Sequence, residues 1–124
     1  MVGINMTIQG LGKSTAILKS KSNKVMKLAT KGIHEAGYFV ESEVVESIAG
    51  HRAEQESVDT GNFKNSIKVD NSKKKQSKIS TNLKYAPGLE FGTSKMQGRK
   101  HFKNTMVRNK AKITEFVNDE VKRL

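Results

Sequence analysis

Two groups of residues have types and spacing that could perform chemistry. Gly12-Lys-Ser-Thr15 follows a predicted strand and is similar to the end of a phosphate-binding loop, but that motif requires a further glycine where this chain has Thr7. Ser94, His101 and Glu90 are a nucleophile, a base and an acid of the kinds found in hydrolytic triads. Almost any chain of this length contains such a trio, and the surrounding segment is rich in lysine and glycine. The sequence therefore does not predict a closed catalytic pocket.

The histidines do not predict a metal site either. His34, His51 and His101 are isolated, and no His-x-x-x-His pair or nearby carboxylate pair has the spacing of metal ligands. The chain contains no cysteine, so it has neither a thiolate ligand nor a disulfide framework, which suits a protein made in a reducing cytoplasm. We therefore predict a protein that is not an enzyme and that uses no cofactor.

Length and charge predict one basic, soluble domain. A chain of 124 residues can bury one core and is too short for two domains. Its formal net charge is +11, and the charge is uneven: residues 13–31 carry six lysines and no acid, whereas residues 35–56 carry six glutamates and one arginine. Neither a signal peptide nor a membrane span is predicted. Such a cationic surface favours an anionic partner.

The longest periodic pattern predicts an amphipathic helix over residues 22–50, ended by Gly50. Gly32 and Gly37 each cost about 1 kcal/mol relative to alanine inside a helix, so we expect them to permit the close approach of a sheet or a second helix. Its basic first half and acidic second half oppose the helix macrodipole, and we expect these ends to meet complementary ends of adjacent copies. The apolar residues recur every three or four positions, at Val25, Ala29, Ile33, Ala36, Val40, Val44 and Ile48.

Shorter patterns predict the remaining elements. Residues 1–21 contain an alternating strand, with Ile4, Met6 and Ile8 inward, and a linker. Residues 58–100 contain strands on either side of a lysine-rich hairpin tip, and residues 103–124 form a C-terminal helix. The predicted fold class is α+β, in which one long N-terminal helix and the C-terminal helix cover a small, mostly antiparallel sheet of three to four strands.

Residues 85–100 concentrate the only proline, three of the ten glycines, a tyrosine and a phenylalanine. This combination predicts a shaped loop, because proline restricts the backbone and glycine frees it. We expect Tyr85, Leu89 and Phe91 to hold the loop on the core and Glu90 to face a partner or solvent. A well-packed connector without a binding role explains the same composition.

Two segments resemble the signature segments of a family of small tailed-phage proteins. They are Val58-Asp-Thr-Gly-Asn-Phe-Lys-Asn-Ser-Ile67 and Tyr85-Ala-Pro-Gly-Leu-Glu-Phe-Gly-Thr93, and the family comprises the minor tail component, tail-completion and head-tail joining proteins of siphophages. The resemblance covers roughly residues 22–124 and includes a terminal helix. The chain departs from it after Arg99, where the family has two prolines that are absent here.

The resemblance implies a structural virion protein at the neck or upper tail, made in the host cytoplasm, that completes the tail or joins it to the head. It further implies a homo-oligomeric ring, such as a hexamer, in contact with other neck, tail and connector proteins. The residues expected at the subunit interface are Tyr85, Leu89, Glu90, Phe91, Thr93, Met96 and Arg99. We expect the cationic tip residues to face packaged DNA or the rim of the ring: Lys73, Lys74 and Lys75.

The charge also favours an alternative, a small basic protein that binds nucleic acid without sequence specificity. Against it, the chain has only seven aromatic residues, and we expect Tyr38, Phe39 and Phe102 to be buried. No helix-turn-helix, zinc finger or stacking platform for single strands is recognisable. Binding to random duplex DNA at two salt concentrations distinguishes the two functions, because tight and salt-dependent binding by a monomer is expected only of the alternative.

Overall fold

One long helix lies at the centre of the fold and contacts both the sheet and the C-terminal helices. The computed structural model describes residues 4–9, 23–57 and 61–123, with the backbone alone for residues 4–9 and 23. In chain order the elements are β1 (Ile4–Gln9), α1 (Asn23–Ile48), α2 (Asn62–Asn65), β2 (Lys68–Asp70), β3 (Gln76–Thr81), α3 (Ala86–Phe91), β4 (Gly92–Thr93), β5 (Met96–Gln97), α4 (His101–Arg108) and α5 (Lys110–Val121).

Helix α1 confirms the predicted amphipathic pattern. All seven apolar positions that define the pattern, from Val25 to Ile48, are buried. The helix ends at Ile48, two residues before the predicted end at Gly50, which has a φ of 86° and so adopts the left-handed conformation that glycine accepts readily. The N–H of His51 then donates to the carbonyl of Glu46 at 2.9 Å, which satisfies a carbonyl in the last turn. Helix α1 packs against α5, β3 and α4, so its buried stripe supplies the centre of the core.

The two glycines of α1 permit close packing, as predicted. A β-carbon at Gly32 would lie 2.7 Å from the Cα of Val117 and 2.8 Å from the carbonyl oxygen of Phe116, so this glycine lets the backbone of α5 approach α1. A β-carbon at Gly37 would collide with the side chain of Ser77 on β3. Gly32 therefore lets α5 approach α1 closely, and Gly37 lets the sheet do so.

The main sheet has three antiparallel strands in the order β1-β3-β2. In β3 the buried positions alternate, with Ser77, Ile79 and Thr81 facing α1, which follows from the two-residue period of a strand. β1 pairs with β3 along its whole length, from Ile4 opposite Thr81 to Gln9 opposite Gln76. The predicted inward side chains of β1 lie outside the described residues. A second, two-stranded sheet is formed by β4 and β5.

The structure corrects two expectations, one about the C-terminal helix and one about an aromatic residue of α1. The helix predicted over residues 103–124 begins earlier, at His101, and is interrupted at Asn109, whose φ of −108° separates α4 from α5. Of the aromatic residues expected inside, Phe102 is buried, but Tyr38 is 60% exposed. Phe39 is half-buried because its ring packs against Phe116, with the ring centroids 5.4 Å apart.

The architecture confirms the predicted α+β class, with a long N-terminal helix packed on a small antiparallel sheet. The C-terminal helices pack mainly on that helix, whereas the prediction placed the C-terminal helix on the sheet. The strands that flank the basic tip are β2 and β3, as the sequence pattern predicts. Across residues 4–9, 23–57 and 61–123, no helix combines the length and the apolar content needed to cross a lipid bilayer.

Candidate functional site

Residues 85–100 form a folded unit and not the predicted loop. The segment contains helix α3 and the β4–β5 hairpin, and two backbone hydrogen bonds fold the hairpin back onto the helix. The N–H of Arg99 donates to the carbonyl of Leu89 at 2.6 Å, and the N–H of Lys100 donates to that of Glu90 at 3.2 Å. Gly98 is required for this contact, since a β-carbon there would lie 2.6 Å from the Glu90 carbonyl oxygen.

The side chain of Glu90 points inward, which corrects the expectation that it faces a partner. Glu90 is 3% exposed. Its Oε1 accepts the backbone N–H of Phe102 at 2.9 Å, and its Oε2 accepts that of Lys103 at 3.0 Å. These N–H groups belong to the first turn of α4, where they have no partner inside the helix and where the positive end of the helix dipole favours a carboxylate. Glu90 therefore joins α3 to the start of α4.

The aromatic residues on either side of Glu90 are exposed, which corrects the expectation that they hold the segment on the core. Phe91 is 74% exposed and Tyr85 is 49% exposed. Leu89 alone behaves as predicted, because it is half-buried and packs against the core. The remaining interface candidates differ in exposure: Thr93 is exposed, whereas Met96 and Arg99 are half-buried. The apolar ring of Phe91 is thus exposed to solvent at the end of α3, which Glu90 holds in place.

The two signature segments meet in space. The ring of Phe63, in the first segment, lies edge-on to that of Tyr85, in the second, with the centroids 6.2 Å apart and the planes at 71°. The same Phe63 ring lies edge-on to the imidazole of His101 at 6.0 Å. Phe63 is buried, so it connects both segments to the core beside α4. Residues 58–60 of the first segment lie outside the described part of the chain.

A chain of polar side chains runs beneath this region. The guanidinium of Arg99 donates to the hydroxyl of Ser57 at 2.8 Å, and that hydroxyl lies 2.7 Å from Nε2 of His101. Nδ1 of His101 lies 2.7 Å from the hydroxyl of Ser47, which donates to the carboxylate of Glu54 at 2.6 Å. These contacts assign the proton of His101 to Nδ1, so that every donor in the chain points toward Glu54.

The carboxylate of Glu54 is the anionic end of this chain. Although burial by itself raises its pKa, hydrogen bonds from Arg108, Ser47 and Asn104 lower the pKa to about 2. Arg108 contributes two of these bonds, at 2.9 and 3.0 Å. Because such forked pairs are strong, Glu54 anchors the segment that follows α1 to the C-terminal half of α4.

The hydroxyl of Ser57 and the imidazole of His101 are the kinds of groups that a hydrolase uses, but their surroundings indicate a structural role. His101 is fully buried. Burial lowers its pKa to about 4, an effect that Glu54 opposes and Arg99 reinforces. A general base works best with a pKa near the operating pH, so this imidazole is a poor one. The trio considered in the sequence is not assembled, since Glu90 binds the α4 backbone and His101 binds Ser47 and Ser57.

The acidic second half of α1 is partly neutralised within the chain. The guanidinium of Arg52 donates to both carboxylate oxygens of Glu43, at 3.0 and 2.8 Å. Nδ1 of His51 lies 2.5 Å from the carboxylate of Glu46. Two of the glutamates that we expected to pair with adjacent copies thus already have partners in the loop that follows α1.

Two lysine-rich segments, far apart in the sequence, converge at the opposite end of α1. The carbonyl of Lys73 lies 3.0 Å from Nε2 of His34, and the N–H of Lys75 donates to the hydroxyl of Thr30 at 3.3 Å. Between the tip and the helix lies a cavity of about 380 Å³, which we call the basic cleft. It is lined by Met26, Lys27, Thr30, Lys74 and Lys75.

The sequence pointed to the lysines of the tip but not to their partners across the cleft. Of the three predicted DNA-facing residues, Lys74 and Lys75 line the basic cleft, whereas Lys73 contacts α1 through its carbonyl. Lys27 and Thr30 were missed because nothing in their local pattern separates them from other exposed helix residues. The only relevant signal was the absence of any acid from residues 13–31.

Comparison with protein-family models, with curated proteins and with solved structures finds no match to this chain. The described residues contain no group of three or more His, Asp or Glu side chains placed to hold a metal ion. Function is therefore inferred from the chain's own geometry, in which the exposed ring of Phe91 and the basic cleft are two accessible features of the described residues.

Proposed function

We propose that this chain is a structural protein of a tailed-phage virion, which completes the tail or joins it to the head by assembling with copies of itself and with neighbouring neck proteins. The observation that carries the proposal is the contrast between Glu90 and Phe91. The first is buried and bound to α4, and the second, next to it in the chain, is 74% exposed. An apolar ring displayed from a rigid support is typical of the anchor residues of protein interfaces.

The arrangement of the resembling segments supports the same role. In the structure the glutamate and glycines of the second segment maintain its shape, and Phe63 of the first segment packs against Tyr85. The second segment thus belongs to one surface unit, built from α3 and the β4–β5 hairpin, and the first segment supports it from the core side. Tyr85 and Phe91 are its apolar contacts, and Thr93 is an exposed polar neighbour. A rigid unit loses little conformational entropy on docking, which favours assembly.

The proposal is tested by deleting the gene from the phage that encodes the chain and supplying variants in trans. Particles without the protein are expected to appear in electron micrographs as full heads separate from finished tails. Phe91→Ser is expected to reproduce this defect and to lower the yield of infectious particles at least tenfold. The matched control is Tyr38→Ser, which removes an aromatic ring of similar exposure outside the unit. Joined, infectious particles in the absence of the protein would disprove the role.

The alternative function, non-specific nucleic-acid binding by a monomer, is favoured by the basic cleft. It requires tight binding of duplex DNA by the isolated chain, with affinity that falls steeply as salt increases. A neck protein is expected to bind DNA weakly when isolated and to act through its oligomer. Light scattering of the purified chain, together with DNA titrations at two salt concentrations, separates the two functions.

A further inference from the structure

We infer that the basic cleft binds the phosphate groups of a nucleic-acid backbone. The inference goes beyond the role at the neck, because it follows from the geometry of the cleft and concerns a surface distinct from α3. Its basis is that α1 and the β2–β3 tip place Lys27, Lys74 and Lys75 around one cavity. At about 380 Å³, this cavity is within the range of about 300–1,000 Å³ that is usual for ligand sites.

The cleft is held in shape by contacts between its two walls. Nε2 of His34 and the hydroxyl of Thr30, both on α1, contact the backbone of the tip at Lys73 and Lys75. The amide of Asn71 donates to the carbonyl of His34 at 3.4 Å. The positions of the lysine backbones are therefore set before any ligand arrives, which reduces the entropic cost of binding.

Among the residues that the structure describes, the lysines of the cleft have no acidic partner. No acid precedes Glu35 in the sequence, and Glu35 interacts with Glu120 of α5. The one acid of the tip is Asp70, whose carboxylate accepts the N–H of Ser72 at 2.9 Å. Within the described residues, none of the three cleft lysines forms an ion pair. Three lysines that line one cleft without an ion pair favour the binding of an anion.

The residue types in the cleft favour contact with the phosphates of the backbone over contact with the bases. Lysine ammonium groups act as point charges toward phosphate, whereas base edges are read mainly by arginine, asparagine and glutamine. No aromatic side chain lines the cleft, so it offers no platform on which a base could stack. The hydroxyl of Thr30, which accepts the N–H of Lys75, keeps its own proton to donate to a phosphate oxygen.

The test compares two triple variants with the same net charge. Lys27→Gln, Lys74→Gln and Lys75→Gln together remove the cleft charges, and Lys84→Gln, Lys95→Gln and Lys110→Gln remove three exposed lysines elsewhere. Each set lowers the formal net charge from +11 to +8, since three positive charges are lost. Binding of a short random duplex to the purified chain is measured by fluorescence anisotropy at several salt concentrations, and thermal unfolding verifies that both variants fold.

The cleft variant is expected to bind at least about tenfold more weakly than the control variant at low salt. Its salt dependence, as the slope of log K against log salt, should fall by roughly two to three, because each phosphate contact contributes about 0.9. An equal loss in both variants would overturn the cleft as a site. Inorganic phosphate or a mononucleotide that binds as tightly as the duplex would overturn the assignment to a nucleic-acid backbone. These results do not depend on whether Phe91 supports particle assembly.

Discussion

The carboxylate of Glu90 accepts the backbone N–H of Phe102, which lies twelve positions later in the chain, at 2.9 Å. The Glu90 side chain is almost completely buried. Helices are usually capped by a residue next to their first turn. Here Lys100, the residue that precedes α4, has a φ of 56° and forms no side-chain cap. Instead, the carboxylate of Glu90, on α3, caps the first turn of α4. The position of α4 therefore depends on that of α3.

Replacing Glu90 should therefore destabilise the whole fold. Glu90→Ala is expected to lower the free energy of unfolding by about 2–3 kcal/mol, because it leaves two N–H groups of α4 without their buried acceptor. Glu90→Gln should cost less, since the amide keeps one acceptor oxygen. Urea titration measures both values. Glu115→Ala, at an exposed position on α5, provides the control, and an equal effect of the two alanine variants would contradict the capping role.

Acid should weaken the protein in two successive ranges. His101 has a pKa of about 4 in the folded chain instead of 6.5, so below pH 6.5 the unfolded state takes up a proton that the folded state excludes. Stability is then expected to fall between pH 6.5 and 4, by up to about 3 kcal/mol. Glu54, with a pKa of about 2 instead of 4.5, contributes stability above pH 4.5 that is lost between pH 4.5 and 2.

The two ranges can be separated with one substitution. His101→Gln removes the titrating imidazole but keeps an amide that can bond to Ser47 or Ser57. We expect this variant to be less stable at pH 7 and to show little change in stability between pH 6.5 and 4.5. Chemical denaturation across pH measures the effect. A slope that remains unchanged in the variant would assign the acid sensitivity to other groups.

Gly32→Ala should destabilise the protein, although alanine is normally the better helix former by about 1 kcal/mol. The added methyl group would lie 2.7 Å from the Cα of Val117 and 2.8 Å from the carbonyl oxygen of Phe116, which is closer than van der Waals contact allows, and these backbone atoms cannot rotate away. We expect a net loss of about 1–3 kcal/mol in the free energy of unfolding. Lys24→Ala, at an exposed position on the same helix, is the control. A gain in stability at Gly32 would show that the two helices are less closely packed than the structure indicates.

Glu35→Gln should stabilise the protein at neutral pH. Burial, followed by the hydrogen bond and the charge of Glu120, raises the pKa of Glu35, while Lys31 and Arg123 lower it. A raised carboxyl pKa means that this group contributes most at low pH and that its contribution is lost as pH rises above 4.5. Removing the charge should raise the free energy of unfolding at pH 7 and leave it nearly unchanged near pH 4. Glu115→Gln, where the carboxylate pairs with Lys112, should show no such gain.

The features that the sequence predicted correctly are those determined by residues close to one another in the chain. The stripe from Val25 to Ile48 has the period of a helix, and all of its members are buried. Gly32 and Gly37 predicted close neighbours because glycine in a helix needs a compensating contact, and both neighbours are present. The lysine-rich tip lies between two strands as expected, since a run of charges rarely occupies the interior of a sheet.

The features that sequence could not predict depend on distant contacts. From their polarity alone, Phe91 is expected inside the protein and Glu90 outside. Instead, α4 starts beside α3, and its free N–H groups bind the carboxylate of Glu90. The reversal therefore follows from the position of α4, which no pattern within residues 85–100 encodes. The break at Asn109 lacks the proline or glycine that usually marks one. The basic cleft was missed for the same reason, because its walls come from α1 and a hairpin more than forty residues later.

The contact between Gly32 and Val117 joins an early helix to one near the other end of the chain. During synthesis α1 emerges long before α5 does, so the part of its apolar stripe that faces α5 stays uncovered until α5 has been made. The slowest step in folding should then be closure of this long-range contact and not the formation of any single helix. A cell that produces the chain is expected to shield that stripe with a chaperone until α5 has left the ribosome.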